Sequence, residues 1–208
     1  MAREIELKLP LSFGQFDKIH KILTGQEQLP FFHSHGAEHI LKSDEYYSLY
    51  KSHEERLKNK ELRVIRIRSE KKLPLFPNGI DMIGEESEKY YFCIKQKTLE
   101  NGVEFNSEKE TFIEEADVLR SFFAATGYIK WFEKKKDALS VYCSVENFPG
   151  FEAHLELEKV NGLPYAEIEY TKDDFPPEEV RANLEKILVS LGLDPKKRDS
   201  RSWAEIIG

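Results

Sequence analysis

Glu4-Ile5-Glu6-Leu7-Lys8 alternates charge with aliphatic carbon, and its reading decides the fold. In a strand, residues i and i+2 point to one face. This segment therefore puts two carboxylates and an ammonium on one side, with Ile5 and Leu7 on the other. The same period recurs in Arg66-Ile-Arg68, Ile94-Lys95-Gln96-Lys97, Glu108-Lys-Glu110, Lys134-Lys-Lys136, Glu156-Leu-Glu158 and Glu167-Ile-Glu169. The signs run acid, base, base, acid, base, acid, acid. Two arrangements satisfy the pattern. The charged faces can look outward from a plain sandwich, with ordinary cross-strand ion pairs, or inward from a sheet rolled on itself. Asp44 to Leu49 and Leu139 to Val145 also read as strands, so the strands number at least eight, enough to close a barrel.

Helical spacing lies between these strands. Phe16, Ile19, His20 and Leu23 follow Ser12, a plausible N-cap. Val118, Leu119, Phe122 and Phe123 repeat the spacing between Glu115 and Thr126, stopped by Gly127. Val180, Leu184, Ile187, Leu188 and Leu191 form the longest helix, opening at Pro176-Pro177 and ending at Gly192, and a short one is expected over Arg201 to Ile207. These amphipathic helices could cover an aliphatic outer surface and so favour the barrel. The expectation is an α+β fold: a closed eight-stranded antiparallel β-barrel, a tunnel, with flanking helices. No Gly/Ser or Pro-rich linker divides the chain, so 1–208 reads as a single domain.

Composition narrows the function. Of 208 residues, 31 are Lys or Arg and 38 Asp or Glu, a net charge of −7, which argues against a dedicated nucleic-acid binder. No apolar run is long enough for a spanning helix, so no membrane partner is expected. Two cysteines, Cys93 and Cys143, lie far apart in apolar strands and read as reduced thiols of a cytoplasmic protein. His33, His35 and His39 cluster before the second strand, but without a fourth ligand they read as surface or packing residues. There is no phosphate-cradling glycine loop, dinucleotide fingerprint or nucleophile elbow.

Charged faces gathered inside a barrel have definite chemistry. Carboxylates without His or Cys form a hard-oxygen site suited to Mg²⁺ or Mn²⁺. Lysine and arginine beside that metal suit phosphate oxygens. Cations converging in an empty lumen should repel one another, so loss of Arg66 or Lys95 is expected to hold or raise ligand-free stability.

The ordered motifs resemble the CYTH superfamily, the triphosphate tunnel metalloenzymes, over nearly the whole chain. Glu4-Ile-Glu6-Leu-Lys8 is similar to its Glu-x-Glu-x-Lys signature, Asp44-Glu-Tyr46-Tyr47 to its Asp-x-Tyr-Tyr strand, and Leu62-Arg63 with Arg66-Ile67-Arg68 to its Leu-Arg-x-Arg strand. Glu167-Ile-Glu169 and Ser202-Trp203-Ala-Glu205 resemble its last strand and closing helix. Lys136 stands where the family has arginine, Glu158 where it has aspartate, and Pro164 where it has glycine. Arg63 is out of phase with Arg66 and Arg68, so either that strand bulges or one pair alone faces inward.

The resemblance implies divalent-metal-dependent hydrolysis of a triphosphate: inorganic tripolyphosphate, thiamine triphosphate or a nucleoside triphosphate. The alternatives are a class IV adenylate cyclase making cyclic AMP and pyrophosphate from ATP, and a tunnel that binds polyphosphate or nucleotide without turnover. It implies metal ligation by Glu4, Glu6, Glu108, Glu110, Glu158, Glu167 and Glu169. Phosphate binding falls to Lys8, Arg66, Arg68, Lys95, Lys97, Lys134 and Lys136, and a catalytic role to Glu4, Glu6, Lys8 and Glu169. The expected partner is a small-molecule triphosphate, with the chain expected as a monomer or homodimer.

Overall fold

A computed structural model describes all residues except 1–3, 62, 74–87, 101–102, 147 and 149, and side chains except also those of 97–100 and 103–106. Eight strands, β1 (Glu4–Pro10), β2 (Phe32–Ser48), β3 (Arg63–Leu73), β4 (Lys89–Glu100), β5 (Val103–Ile113), β6 (Ile129–Val145), β7 (Ala153–Val160) and β8 (Leu163–Tyr170), form one antiparallel sheet. Five helices accompany it: α1 (Phe13–Leu23), α2 (His53–Lys58), α3 (Ala116–Ala125), α4 (Pro177–Ser190) and α5 (Trp203–Ile207). Strand pairing runs β1-β5-β4-β3-β2-β6-β7-β8 and returns to β1. One seam is thin. Among the described residues β1 and β5 pair at three positions, Glu4–Asn106, Ile5–Phe105 and Glu6–Glu104, whereas β4 and β5 pair from Tyr90–Ile113 to Glu100–Val103. The sheet is thus strongly curled and barrel-like, as the α+β expectation had it, with the β1–β5 seam its thinnest join among the described residues.

The charged faces point inward because the helices take the other side. Ile5, Leu7 and Leu9 of β1 are almost wholly buried in a core with Phe16, Ile19 and Leu23 of α1 and Val180, Leu184, Ile187 and Leu188 of α4. Each such side chain contributes roughly 1.5–3 kcal/mol by leaving water, so the outer face of β1 is committed and Glu4, Glu6 and Lys8 must occupy the inner one. A second cluster places Phe123 of α3 on Tyr47 and Ile67, outside β2 and β3.

The helix termini follow local chemistry. Ser12 and Gln15 form a capping box at the start of α1, and Gly127 adopts φ +84° after α3. The helix α2 has too few residues for a periodic signal and is absent from the sequence reading. The strands β2 and β6 are much longer than expected, 17 residues each, and pair with register shifts at His35/Glu38 and at Tyr46/Tyr47. His33, His35 and His39 thus lie within β2 rather than before it. They meet separate acids, Glu146 at 3.6 Å, Glu152 at 3.3 Å and Asp137 at 2.7 Å. With Pro74, Pro77, Asn78-Gly79 and Gly84, the sequence from Glu70 to Lys89 reads as a long surface loop or hairpin extension; residues 70–73 and 89 instead belong to β3 and β4, and 74–87 lie outside the described residues.

Candidate functional site

The curled sheet encloses a cavity of about 590 Å³ lined from every strand. Of the residues expected in the site, Glu4, Glu6, Lys8, Arg66, Arg68, Lys95, Glu108, Glu110, Lys134, Lys136, Glu167 and Glu169 line it. Glu158 is wholly buried in its wall, and the Lys97 side chain lies outside the described residues. Strand parity sorts the neighbouring cations. Lys134 and Lys136 are buried while Lys135 is 72% exposed, so the lysine run is split between the two faces. Arg63 is exposed, and β3 keeps an unbroken register with β4, so Arg66 and Arg68 are the inward pair without a bulge.

The seven expected metal-binding carboxylates divide into three groups. Glu4, Glu6 and Glu169 bring ligand oxygens within 4.8 Å of one another, as do Glu158, Glu167 and Glu156, and Glu108 and Glu110 with the Cys93 thiol. The first group is the one with hard oxygen donors alone and no lysine inserted between all three. Lys95 borders it, 3.3 Å from Glu4 and 3.6 Å from Glu6. Burial, with the nearby Glu167, pushes the Glu6 carboxyl up to about 8, and burial also raises Glu4. Protonated or crowded acids of this kind are what a divalent cation relieves, so the donor set fits Mg²⁺ or Mn²⁺. The second group is different: Lys136 Nζ contacts Glu156 at 3.4 Å, Glu158 at 2.5 Å and also Glu167. An ammonium holds that position.

The cations gather on the facing wall. Arg68 donates to Asp44 through Nε at 2.7 Å and Nη2 at 3.1 Å. Lys134 lies 3.2 Å and Arg66 3.7 Å from the same carboxylate. Burial opposes ionisation of Asp44, yet Arg68, Arg66 and Lys134 hold it well below the usual carboxylate range. Lys134 is pulled the other way, down to about 8, by burial and by Lys136. Arg66 Nη2 donates to Glu108 at 2.9 Å, and Arg66 and Lys95 outweigh burial to draw Glu108 down to about 2. Among the described residues the buried Arg66 Nε has no hydrogen-bond partner, a donor left for an anion.

Sequence reasoning did not assign Asp44, Lys42, Tyr46, His154, Glu156 or Trp203 to the site, although all but Asp44 line the cavity and Asp44 anchors its cations. A signal existed for most. Lys42, Asp44 and Tyr46 share one strand face, and His154 continues the alternation of Glu156 and Glu158. Trp203 carried no such signal. It enters from α5, donating Nε1 to Glu167 at 3.1 Å, with the Lys8 ammonium 4.6 Å above its ring. Lys8 also donates to the Arg201 carbonyl at 2.6 Å. Around α2 aromatic and aliphatic side chains join the charged ones: Leu57, Val64, Trp131 and Phe132 line the cavity beside His53, Arg56 and Glu61, and the Arg56 guanidinium lies 4.5 Å from the Trp131 ring.

No family model and no curated protein matches the chain. Solved structures do. A protein of Pyrococcus horikoshii superposes with a TM-score of 0.68 at 24% identity, covering 98% of this chain and 97% of that one. A Vibrio parahaemolyticus protein described as a candidate adenylate cyclase gives 0.61 at 18% identity, covering 99% and 98%. A Hippeastrum protein described as a candidate adenylyl cyclase with a dominant triphosphatase activity gives 0.53 at 18%, covering 93% and 89%. At these identities the likeness is one of fold, and the fold fits the triphosphate tunnel that the motifs resemble. No described helix is long and apolar enough to cross a membrane.

Proposed function

We propose that the chain hydrolyses a triphosphate with the help of a divalent cation held by Glu4, Glu6 and Glu169. One observation carries this reading: an all-carboxylate group and a wall of buried cations share a single cavity, with Lys95 in contact with both Glu4 and Glu108. A triphosphate brings about four negative charges, and only convergent cations offset the cost of taking them out of water. Arg66, Arg68, Lys134 and Lys136 would bind the phosphate oxygens, the two arginines through their forked guanidinium donors. Asp44 and the glutamates keep these cations apart in their places until phosphate replaces part of that charge. The cation, when bound, screens the phosphate oxygens and lowers the pKa of an attacking water. Lys8, fixed by the Arg201 carbonyl and Trp203, is placed to offset charge developing on the chain.

The aromatic and aliphatic side chains at the α2 end of the cavity favour a substrate with an organic group on its phosphates over bare tripolyphosphate, which has no use for Trp131, Phe132 or Leu57. Cyclisation of ATP would use the same cavity and is separated by its products. The test incubates the protein with tripolyphosphate, thiamine triphosphate and ATP, each with Mg²⁺ or Mn²⁺. Phosphate release that falls at least about 100-fold in Glu4→Gln supports the reading. Cyclic AMP with pyrophosphate, or binding without product, would replace it.

A further inference from the structure

We infer that His154 is a positioning residue: its Nδ1–H holds Glu169, and the Ser140 hydroxyl holds His154, so that Glu169 is aimed at the cation-binding group. The three side chains form a hydrogen-bonded line across β6, β7 and β8. Ser140 Oγ lies 2.7 Å from His154 Nε2, and His154 Nδ1 lies 2.8 Å from Glu169 Oε1. With Ser140 donating into Nε2, the ring carries its proton on Nδ1 and donates it to the carboxylate, so every polar group in the line is matched.

Register explains why such a line is needed. On β8, Glu169 stands directly opposite His154 of β7 and, on its other flank, directly opposite Glu6 of β1. A carboxylate beside Glu6 and Glu4 is repelled by both, and its side chain would turn away from them to the cavity water. A donor on the far side binds Oε1 and leaves the remaining lone pairs to the space shared with Glu4 and Glu6. The Tyr142 ring, 5.5 Å from the imidazole, and the buried Ser140 keep that donor from rotating. Imidazole thus serves here as a carboxylate's support, outside the ligand group.

This rests on the assignment of Glu4, Glu6 and Glu169 as the cation-holding group, and the test keeps the two apart. Mn²⁺ is titrated into the full chain and the free ion followed by its paramagnetic resonance signal, with the ligand-free melting temperature as control. His154→Phe, which keeps a ring beside Tyr142 but no donor, is expected to weaken Mn²⁺ binding roughly 10–100-fold, the range for a partner that orients a metal ligand. His154→Asn, whose amide stands where Nδ1 does, stays within about fivefold of the parent, and Ser140→Ala loses a few-fold. Unchanged Mn²⁺ affinity in His154→Phe, or equal weakening by Phe and Asn, overturns the positioning role. Should His154→Phe fail to fold, unchanged affinity in Ser140→Ala overturns it. A parent that binds no Mn²⁺, or a Glu4→Gln variant that binds it as the parent does, removes the metal assignment itself.

Discussion

Asp44 Oδ1 accepts from Arg68 Nε at 2.7 Å with the carboxylate wholly closed to water, and that one carboxylate also faces Arg66 and Lys134. Three phosphate-binding candidates are thus held apart by a single buried anion. It is a counterion built into the wall.

Asp44→Asn removes that counterion while keeping the side chain's shape. The variant is expected to lose about 3–5 kcal/mol of stability in urea unfolding, as for a buried pair broken at one partner. Tripolyphosphate should restore more melting temperature to the variant than it adds to the parent, because it returns negative charge to the same cations. Equal ligand-induced shifts in the two proteins would count against a shared site.

Arg66 and Lys95 do not sit in an empty, self-repelling lumen. Both are paired with acids, so the expectation that their loss leaves ligand-free stability intact is revised. Lys95→Ala should lower both ligand-free stability and tripolyphosphate affinity, the latter by roughly 2–5 kcal/mol. Lys134→Met should lower affinity alone, since Lys136 crowds Lys134 and Asp44 keeps two arginines. Melting curves with and without tripolyphosphate separate the two patterns, and identical behaviour of the two variants contradicts this assignment.

The pH dependence has a definite sign. Glu6 and Glu158 are raised to about 8 from an ordinary 4.5, both first by burial. The folded chain therefore binds more protons than the unfolded one between those values, and ligand-free stability falls as pH rises from 4.5 through 8. Lys134, lowered to about 8, acts oppositely: its contribution to stability rises between pH 8 and 10.5. Asp44 and Glu108, both lowered, contribute above their unfolded values and lose that contribution as pH falls below about 4. In a series of urea melts, Glu6→Gln should flatten the fall between pH 4.5 and 8. A variant with the parent's slope would show that Glu6 is ionised throughout.

Trp131 sits beside the cavity with Arg56 over its ring. Trp131→Ala should raise KM for an organic triphosphate about 10-fold or more, the loss of an aromatic contact and its cation partner. It should leave KM for tripolyphosphate within about twofold. Steady-state kinetics on the two substrates decide, and an equal rise for both would place Trp131 in the support of the fold.

What the sequence determined by itself was local. Period-2 alternation settled that Glu4, Glu6 and Lys8 share a face, and likewise Arg66 with Arg68 and Glu167 with Glu169. The 3.6 period with Ser12, Gly127 and Pro177 placed α1, α3 and α4 within a residue or two. These signals need no partner, since strand pleat and helix pitch are properties of the backbone. The tertiary structure decided everything that depends on register between distant strands. Covering of Ile5, Leu7 and Leu9 by α1 and α4 turned the charged face inward. Pairing of Glu169 with both Glu6 and His154 made one acid group out of two ends of the chain. The same folding set Lys136 among Glu156, Glu158 and Glu167, so that an ammonium stands between two of the expected ligands, Glu158 and Glu167. Charge alternation says which side chains share a face, but a cavity's chemistry depends on which faces meet. That depends on burial of the apolar side, an energy summed over the whole chain rather than written in any one strand.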